Sequence, residues 1–212
     1  MLIKLILSYL LGSVSGSILV GKLKGIDIRE KGSGNAGGTN TFRIMGAKFA
    51  LLVLFIDIAK GFLAVKFIPL LEINKLLLSN INIDILQILC GCFAVLGHVY
   101  PIYHNFKGGK GAGTMVGVLL ALFPMGLLIC FLSWLFVLFF TGYVGLSTII
   151  AGIILPIVTG FYYQDSIYSI FGYFTIFIAL FIMFTHRSNI IRMINGEENR
   201  FKRIMFFNKK IN

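Results

Sequence analysis

The chain has 212 residues, 58% of them apolar and only 13% charged, and its mean hydropathy is +0.92. That composition excludes a water-soluble enzyme and places the chain among all-α integral membrane proteins. The formal net charge of +11 is spread over short loops, which argues against nucleic acid and for loops that face anionic lipid headgroups.

In chain order, residues 1–21 read as the first span. Lys4 lies within the apolar run and no small-residue cleavage site follows, so the segment is expected to be retained. Ser13, Ser15, Gly16 and Ser17 give it a small-residue face suited to helix contacts in lipid. A glycine-rich loop then carries Lys22, Lys24, Arg29, Lys31, Arg43 and Lys48. Such a concentration marks the cytoplasmic side and puts the N-terminus outside. Residues 47–70 form the second span, 72–84 a short exterior loop, and 85–103 the third span.

From Thr114 to Tyr163 no charged residue occurs. By length the run holds two ordinary spans, but parity requires another count. After residues 164–166, one more apolar run over 167–185 leads into Arg187, Arg192, Arg200, Lys202, Arg203, Lys209 and Lys210. The positive-inside rule puts that tail in the cytoplasm. The charge-free run must then supply three crossings, with breaks near Pro124 and near Gly142–Gly145, the first being the shortest. The expected fold is a polytopic bundle of about seven transmembrane helices, five if two short ones do not fully cross. The N-terminus is outside, the C-terminus inside, and residues 1–212 form a single domain. Cys90, Cys92 and Cys130 lie in apolar runs and read as small buried hydrophobes.

This topology gathers the polar stretches on the cytoplasmic face. The first is Lys31–Gly32–Ser33–Gly34–Asn35–Ala36–Gly37–Gly38–Thr39–Asn40, with Arg43 just beyond. The second is Phe106–Lys107–Gly108–Gly109–Lys110–Gly111–Ala112–Gly113–Thr114. Glycines let backbone N–H groups turn inward, and lysines and arginines add charge and forked donors, so each stretch can cradle a phosphate. Asp57 and Lys60, at i and i+3 in the middle of a span, are expected to pair with each other inside the protein. His98 closes the third span, and Ser147 lies in a hydroxyl-bearing break. His186 and Asn189 share a helix face, between Arg187 and Arg192, in an arrangement suited to orienting a hydroxyl nucleophile.

Absent motifs narrow the chemistry. No histidine has an aspartate five positions later, no Gly-x-Ser-x-Gly elbow occurs, and Gly108–Gly109–Lys110–Gly111 lacks the spacing of a Walker A loop. No metal site and no cofactor is called for. An enzyme built this way takes an already activated substrate and relies on binding, orientation and charge stabilisation.

Taken in order, these residues resemble the bacterial acyl-phosphate:glycerol-3-phosphate acyltransferases over nearly the whole chain. The resemblance is carried by Gly32–Ser33–Gly34–Asn35–x–Gly37–x–Thr39–Asn40 with Arg43, by Asp57–x–x–Lys60–Gly61, and by Gly97–His98–x–x–Pro101 followed by the second glycine-rich stretch. Gly145–Leu146–Ser147 and His186–x–x–Asn189–Ile190–x–Arg192 complete it. Gly38 and Gly145 stand where the family usually has alanine and serine.

The resemblance implies acyl transfer from a fatty acyl phosphate to the sn-1 hydroxyl of glycerol 3-phosphate, at the cytoplasmic face of a bacterial inner membrane. It implies catalytic roles for His186, Asn189 and Lys110. Substrate contacts fall to Ser33, Asn35, Gly37, Thr39, Asn40, Arg43, His98, Lys107, Gly108, Gly109, Gly111, Thr114, Ser147, Arg187 and Arg192. The expected partners are acyl phosphate, glycerol 3-phosphate and membrane lipid, with the oligomeric state open. The competing classes are a transporter or channel for a phosphorylated solute and a lipid-phosphate binding module without chemistry.

Overall fold

The computed structural model describes residues 1–72, 82–163 and 168–206. Most of the expected exterior loop, the start of the last apolar run and Lys209 and Lys210 lie outside the described residues. What is described is helical throughout apart from turns and loops. The helices are α1 (Leu2–Gly12), α2 (Gly16–Lys22), α3 (Gly38–Met45), α4 (Ala47–Lys66), α5 (Ile83–Val99), α6 (Ala112–Leu122), α7 (Pro124–Thr141), α8 (Val144–Tyr162), α9 (Ile170–Thr185) and α10 (Arg187–Ile194). They fall into two compact units, Met1–Phe123 and Pro124–Asn212.

In the first unit, α4 packs on α6 and α1 on α5. Both contacts need glycine. A Cβ on Gly117 would run into the Ile58 carbonyl, and one on Gly61 into that of Thr114. Gly12 and Gly97 stand in the same relation to Ala94 and Tyr9. Helices in lipid gain little from hydrophobic burial against each other, so backbone approach at small residues supplies the van der Waals contact that holds them.

The first span differs from the expected single helix: α1 and α2 meet at 43° across Ser13–Ser15. A break at membrane depth frees carbonyls that must find donors. The Lys60 ammonium supplies them, donating to the Gly12 carbonyl at 2.8 Å and the Val14 carbonyl at 2.7 Å. Its charge is balanced by Asp57 Oδ1 at 3.2 Å, so the expected pairing is present, with both side chains at most 5% exposed. Removing one partner of such a buried pair costs about 3–5 kcal/mol.

In the second unit α7 packs on α8 and α8 on α9. The charge-free run gives three helices, α6, α7 and α8, separated at Phe123 and at Gly142–Tyr143. These are the breaks that proline and glycine signalled. Phe123 leaves the helix because a following proline disfavours the α region, and Gly142 takes a positive φ of 73°.

By length and apolarity, three segments are able to cross a membrane among the described residues: α5 with its following turn, α7 and α8. The number rises to five if the bent pairs α1–α2 and α9–α10 each count as one. Helix α6 has 11 residues, a rise of roughly 16 Å against a hydrocarbon core of roughly 30 Å. Helix α4 is long enough at 20 residues but carries Lys48, Asp57, Lys60 and Lys66.

Candidate active site

The first glycine-rich loop is organised by Asn40. Its Oδ1 accepts the Ser33 N–H at 2.9 Å, and its Nδ2 donates to the Ile28 and Lys31 carbonyls at 2.9 and 3.0 Å. Asn40 is 1% exposed, so this amide scaffolds the loop. Gly32, at a φ of 62°, lies where any Cβ would strike Asn40 Oδ1. The loop delivers the chain to α3, whose N-cap is Gly37 and whose first turn receives no side-chain cap. Ser33 and Asn35 in the loop and Thr39 in the first turn of α3 are half-buried, as is Arg43 in its last turn.

Upstream, Asp27 caps a short turn by accepting the Arg29 N–H at 2.9 Å, and it pairs with the Arg29 guanidinium at 2.7 Å. Arg29 also donates to the His104 carbonyl at 3.3 Å, tying this loop to the approach of the second stretch. The hydrogen bonds from Arg29 hold the Asp27 carboxyl well below its usual range, at about 2.

The second stretch folds back on the end of α5. Gly108 N–H donates to the Val99 carbonyl at 3.2 Å and Gly109 N–H to the His98 carbonyl at 3.1 Å. Gly109 is wedged between α5 and the first loop: a Cβ there would meet His98 Nε2 and come within 2.7 Å of the Ala36 carbonyl. Gly111, in a left-handed conformation, starts α6, again without a side-chain cap. Lys110 is half-buried and Lys107 exposed. Within one unit, therefore, two uncapped helix N-termini adjoin two glycine-rich loops that touch. Backbone N–H groups at such ends carry partial positive charge and take phosphate readily. Thr114 is fully buried with its carbonyl against Gly61, so it belongs to the α4–α6 contact.

His98 is 4% exposed and its Nδ1 lies 3.4 Å from Asp57 Oδ1. The deep charges that a transport path would use are thus engaged with each other, with His98 and with the broken first span.

In the second unit His186 closes α9. Its Nδ1 lies 2.9 Å from the Ile182 carbonyl. A carbonyl only accepts, so in the neutral ring Nδ1 carries the proton and Nε2 is the basic nitrogen. Asn189 is buried; its amide sits over Gly145, where a Cβ would come within 2.8 Å, and its Nδ2 donates to Glu198 Oε1 at 2.9 Å. The other Glu198 oxygen accepts from Arg192 Nε at 2.6 Å. Ser147 is fully buried and donates to the Tyr143 carbonyl at 2.8 Å, one turn back in α8. Arg187 is exposed, donates to the Phe184 carbonyl at 3.0 Å and covers the Phe184 ring.

Sequence reasoning passed over Glu198, the residue that positions both Asn189 and Arg192. One signal was available: an acidic pair, Glu197–Glu198, in a tail otherwise dominated by lysine and arginine. It also passed over the contact of Asp57 with His98, which no local spacing announces.

The comparisons with known proteins agree with one another. The family model described as glycerol-3-phosphate acyltransferase matches residues 2–196 and so runs through both units. A glycerol-3-phosphate acyltransferase of Fusobacterium nucleatum is 39% identical over 199 residues, 93% of this chain and 96% of that one. Glycerol-3-phosphate acyltransferase 2 of Bacillus anthracis is 41% identical over 200 residues, covering 94% and 98%. Two solved structures of PlsY, an integral membrane glycerol 3-phosphate acyltransferase, are similar over 94% of each chain. The glycerol 3-phosphate form has a TM-score of 0.80 at 37% identity. The lysophosphatidic acid form has a TM-score of 0.77 at 36% identity. With a family model that spans nearly its whole length, and relatives near 40% identity that it covers almost end to end, this chain belongs to the glycerol-3-phosphate acyltransferase family.

Proposed function

We propose that the protein acylates the sn-1 hydroxyl of glycerol 3-phosphate with a fatty acyl phosphate, giving 1-acyl-glycerol 3-phosphate and inorganic phosphate. The hydroxyl oxygen attacks the acyl carbonyl carbon, the bond from that carbon to the phosphate oxygen breaks, and phosphate leaves with its electron pair. The observation that carries this reading is the pair of adjoining glycine-rich loops, each ending at an uncapped helix N-terminus. The two substrates each bring a phosphate to be held.

Ser33, Arg43, Lys110 and the first N–H groups of α3 and α6 hold those phosphates, and Lys110 also offsets charge developing on the carbonyl oxygen. Asn35, Gly37, Thr39, Lys107, Gly108, Gly109 and Gly111 shape the same two loops. His186, through Nε2, and Asn189 position the glycerol hydroxyl, with Ser147, Arg187 and Arg192 supporting them. The hydroxyl proton passes to His186 or to an oxygen of the departing phosphate. Transfer is direct, without an acyl-enzyme, because a mixed anhydride needs no further activation.

The protein works as one domain in the bacterial inner membrane, its chemistry on the cytoplasmic face. It has seven spans, with the N-terminus outside and the C-terminus inside. The three helices of the charge-free run and the basic loops and tail support that topology.

Purified protein with glycerol 3-phosphate is given palmitoyl phosphate, palmitoyl-CoA or palmitoyl acyl carrier protein in turn. Lysophosphatidate and phosphate released one for one, with the acyl phosphate alone, is the expected result. Product from a thioester but none from acyl phosphate refutes the assigned donor, and a covalent acyl-protein on the reaction path refutes direct transfer.

A further inference from the structure

Three buried groups lie behind the second glycine-rich loop. The Lys60 ammonium is fixed by two backbone carbonyls at the break in the first span. It fixes Asp57 in turn, and Asp57 Oδ1 stands 3.4 Å from His98 Nδ1. The opposite edge of the His98 ring, at Nε2, fills the place where Gly109 would carry a side chain, and the Ala36 carbonyl of the first loop borders the same place. Gly113, in the first turn of α6, packs its α-carbon against Asp57 itself, with Asp57 Cβ 3.1 Å from where its own Cβ would be. His98 and Asp57 thus form the surface on which the loop bearing Lys110 rests. Neither sits in the two glycine-rich loops, and both are at most 5% exposed.

We propose that Asp57 is a positioning residue for glycerol 3-phosphate. Its carboxylate, anchored by Lys60, sets the orientation of the His98 ring, and the ring sets the separation of the two glycine-rich loops and hence the reach of Lys110. The two atoms stand 3.4 Å apart without forming a hydrogen bond, so the carboxylate acts on the ring through charge and contact, which favours the proton on Nδ1 and restricts ring rotation. His98, which the sequence pattern placed among the substrate contacts, then acts through the loop. The inference rests on the reading that this chain binds glycerol 3-phosphate. It adds a route by which the broken first span, through Lys60, governs the geometry of a loop far along the chain.

The test uses the full-length protein in detergent. Glycerol 3-phosphate affinity is measured by calorimetry, KM and kcat are measured with palmitoyl phosphate, and the melting temperature is the fold control. Asp57→Asn and His98→Ala are each expected to weaken glycerol 3-phosphate binding roughly tenfold to a hundredfold, the cost of misplacing a binding group by about an ångström. The loss appears in KM more than in kcat. Because Asp57 acts through His98, adding Asp57→Asn to His98→Ala should cost no more than about twofold further, where independent sites would multiply.

Equal losses from Asp57→Asn with and without His98 overturn the proposal, as does an unchanged KM in a folded Asp57→Asn protein. A merely structural residue would lower melting and active fraction while leaving KM in place. Should Asp57→Asn not fold, Asp57→Glu keeps the charge opposite Lys60 but shifts it by one methylene, and the same KM rise is expected. Failure of both to fold assigns Asp57 to the fold and overturns the proposal. No glycerol 3-phosphate binding by the unaltered protein removes the functional reading, and this inference with it. Binding by the unaltered protein together with a normal KM in Asp57→Asn removes the inference alone.

Discussion

The two units keep their polar groups in different places. In the first, Asp57, Lys60 and His98 lie inside the helix bundle, at most 5% exposed, and more than half of the α5 span (56%) is buried. In the second, the α7 and α8 spans are only 17% and 28% buried, and the polar groups that matter sit at helix ends. The difference follows from backbone geometry. The first unit contains a broken span and a looped approach to α6, and broken backbone in lipid must be satisfied from within. In the second the bend, between α9 and α10, falls at His186, where the apolar run has already ended. Asn189 and Arg192 are held there by Glu198, which arrives from later in the chain.

The contrast can be broken at its glycines. Gly117→Ala forces a methyl into the Ile58 carbonyl of α4. Because backbone cannot swing aside as a side chain can, destabilisation at or above the upper end of about 1–3 kcal/mol is expected, read as a large fall in melting temperature or loss of the monodisperse peak. Next in size is Glu198→Ala. It strips Asn189 and Arg192 of their shared acceptor, for an expected cost of about 1–3 kcal/mol, with activity falling further than stability. Activity that survives intact would separate Asn189 from the chemistry.

Gly160 is the counterpart in the second unit: among the described residues nothing lies within 4 Å of a Cβ built there. Gly160→Ala within α8 should therefore be neutral or gain up to about 1 kcal/mol from helix propensity, seen as a small rise in melting temperature. A fall would show that the face of α8 at Gly160 is covered.

The smallest effect concerns the Asp27–Arg29 pair. The folded-state value of Asp27, about 2, is below its unfolded value of roughly 3.9. The pair's stabilisation is therefore complete above the unfolded value and is lost as pH falls through about 2. Both side chains are partly exposed, so screening keeps the contribution small. Exchange of the Arg29 amide hydrogen, corrected for its intrinsic pH dependence, should quicken below pH 4 in the unaltered protein, and Asp27→Asn should abolish that change.

Much of this was legible in the sequence because it is local. Pro124 and Gly142–Gly145 mark where α6 gives way to α7 and α7 to α8. Asp57 and Lys60 lie one helical turn apart, so their pairing is a matter of helix geometry. What escaped is long-range. The Lys60 contacts with Gly12 and Val14 join residues nearly fifty positions apart, and no period carries that information. The small-residue face of Ser13, Ser15, Gly16 and Ser17 is buried as expected, Gly16 against Val53 and Ile56; the break within it was not legible, because a span with its own donor for freed carbonyls looks the same in sequence as a span that needs none. Asn40 and Ser147 looked like substrate contacts by residue type; the fold turns Asn40 wholly and the Ser147 proton toward nearby backbone.

The central claim is that the glycine-rich loops of the first unit hold substrate phosphate through Lys110. Steady-state turnover of Lys110→Ala with palmitoyl phosphate and glycerol 3-phosphate, beside its melting curve, tests it most directly. The account predicts a loss of kcat/KM of about a hundredfold or more with melting unchanged; a folded Lys110→Ala protein with full activity would contradict it.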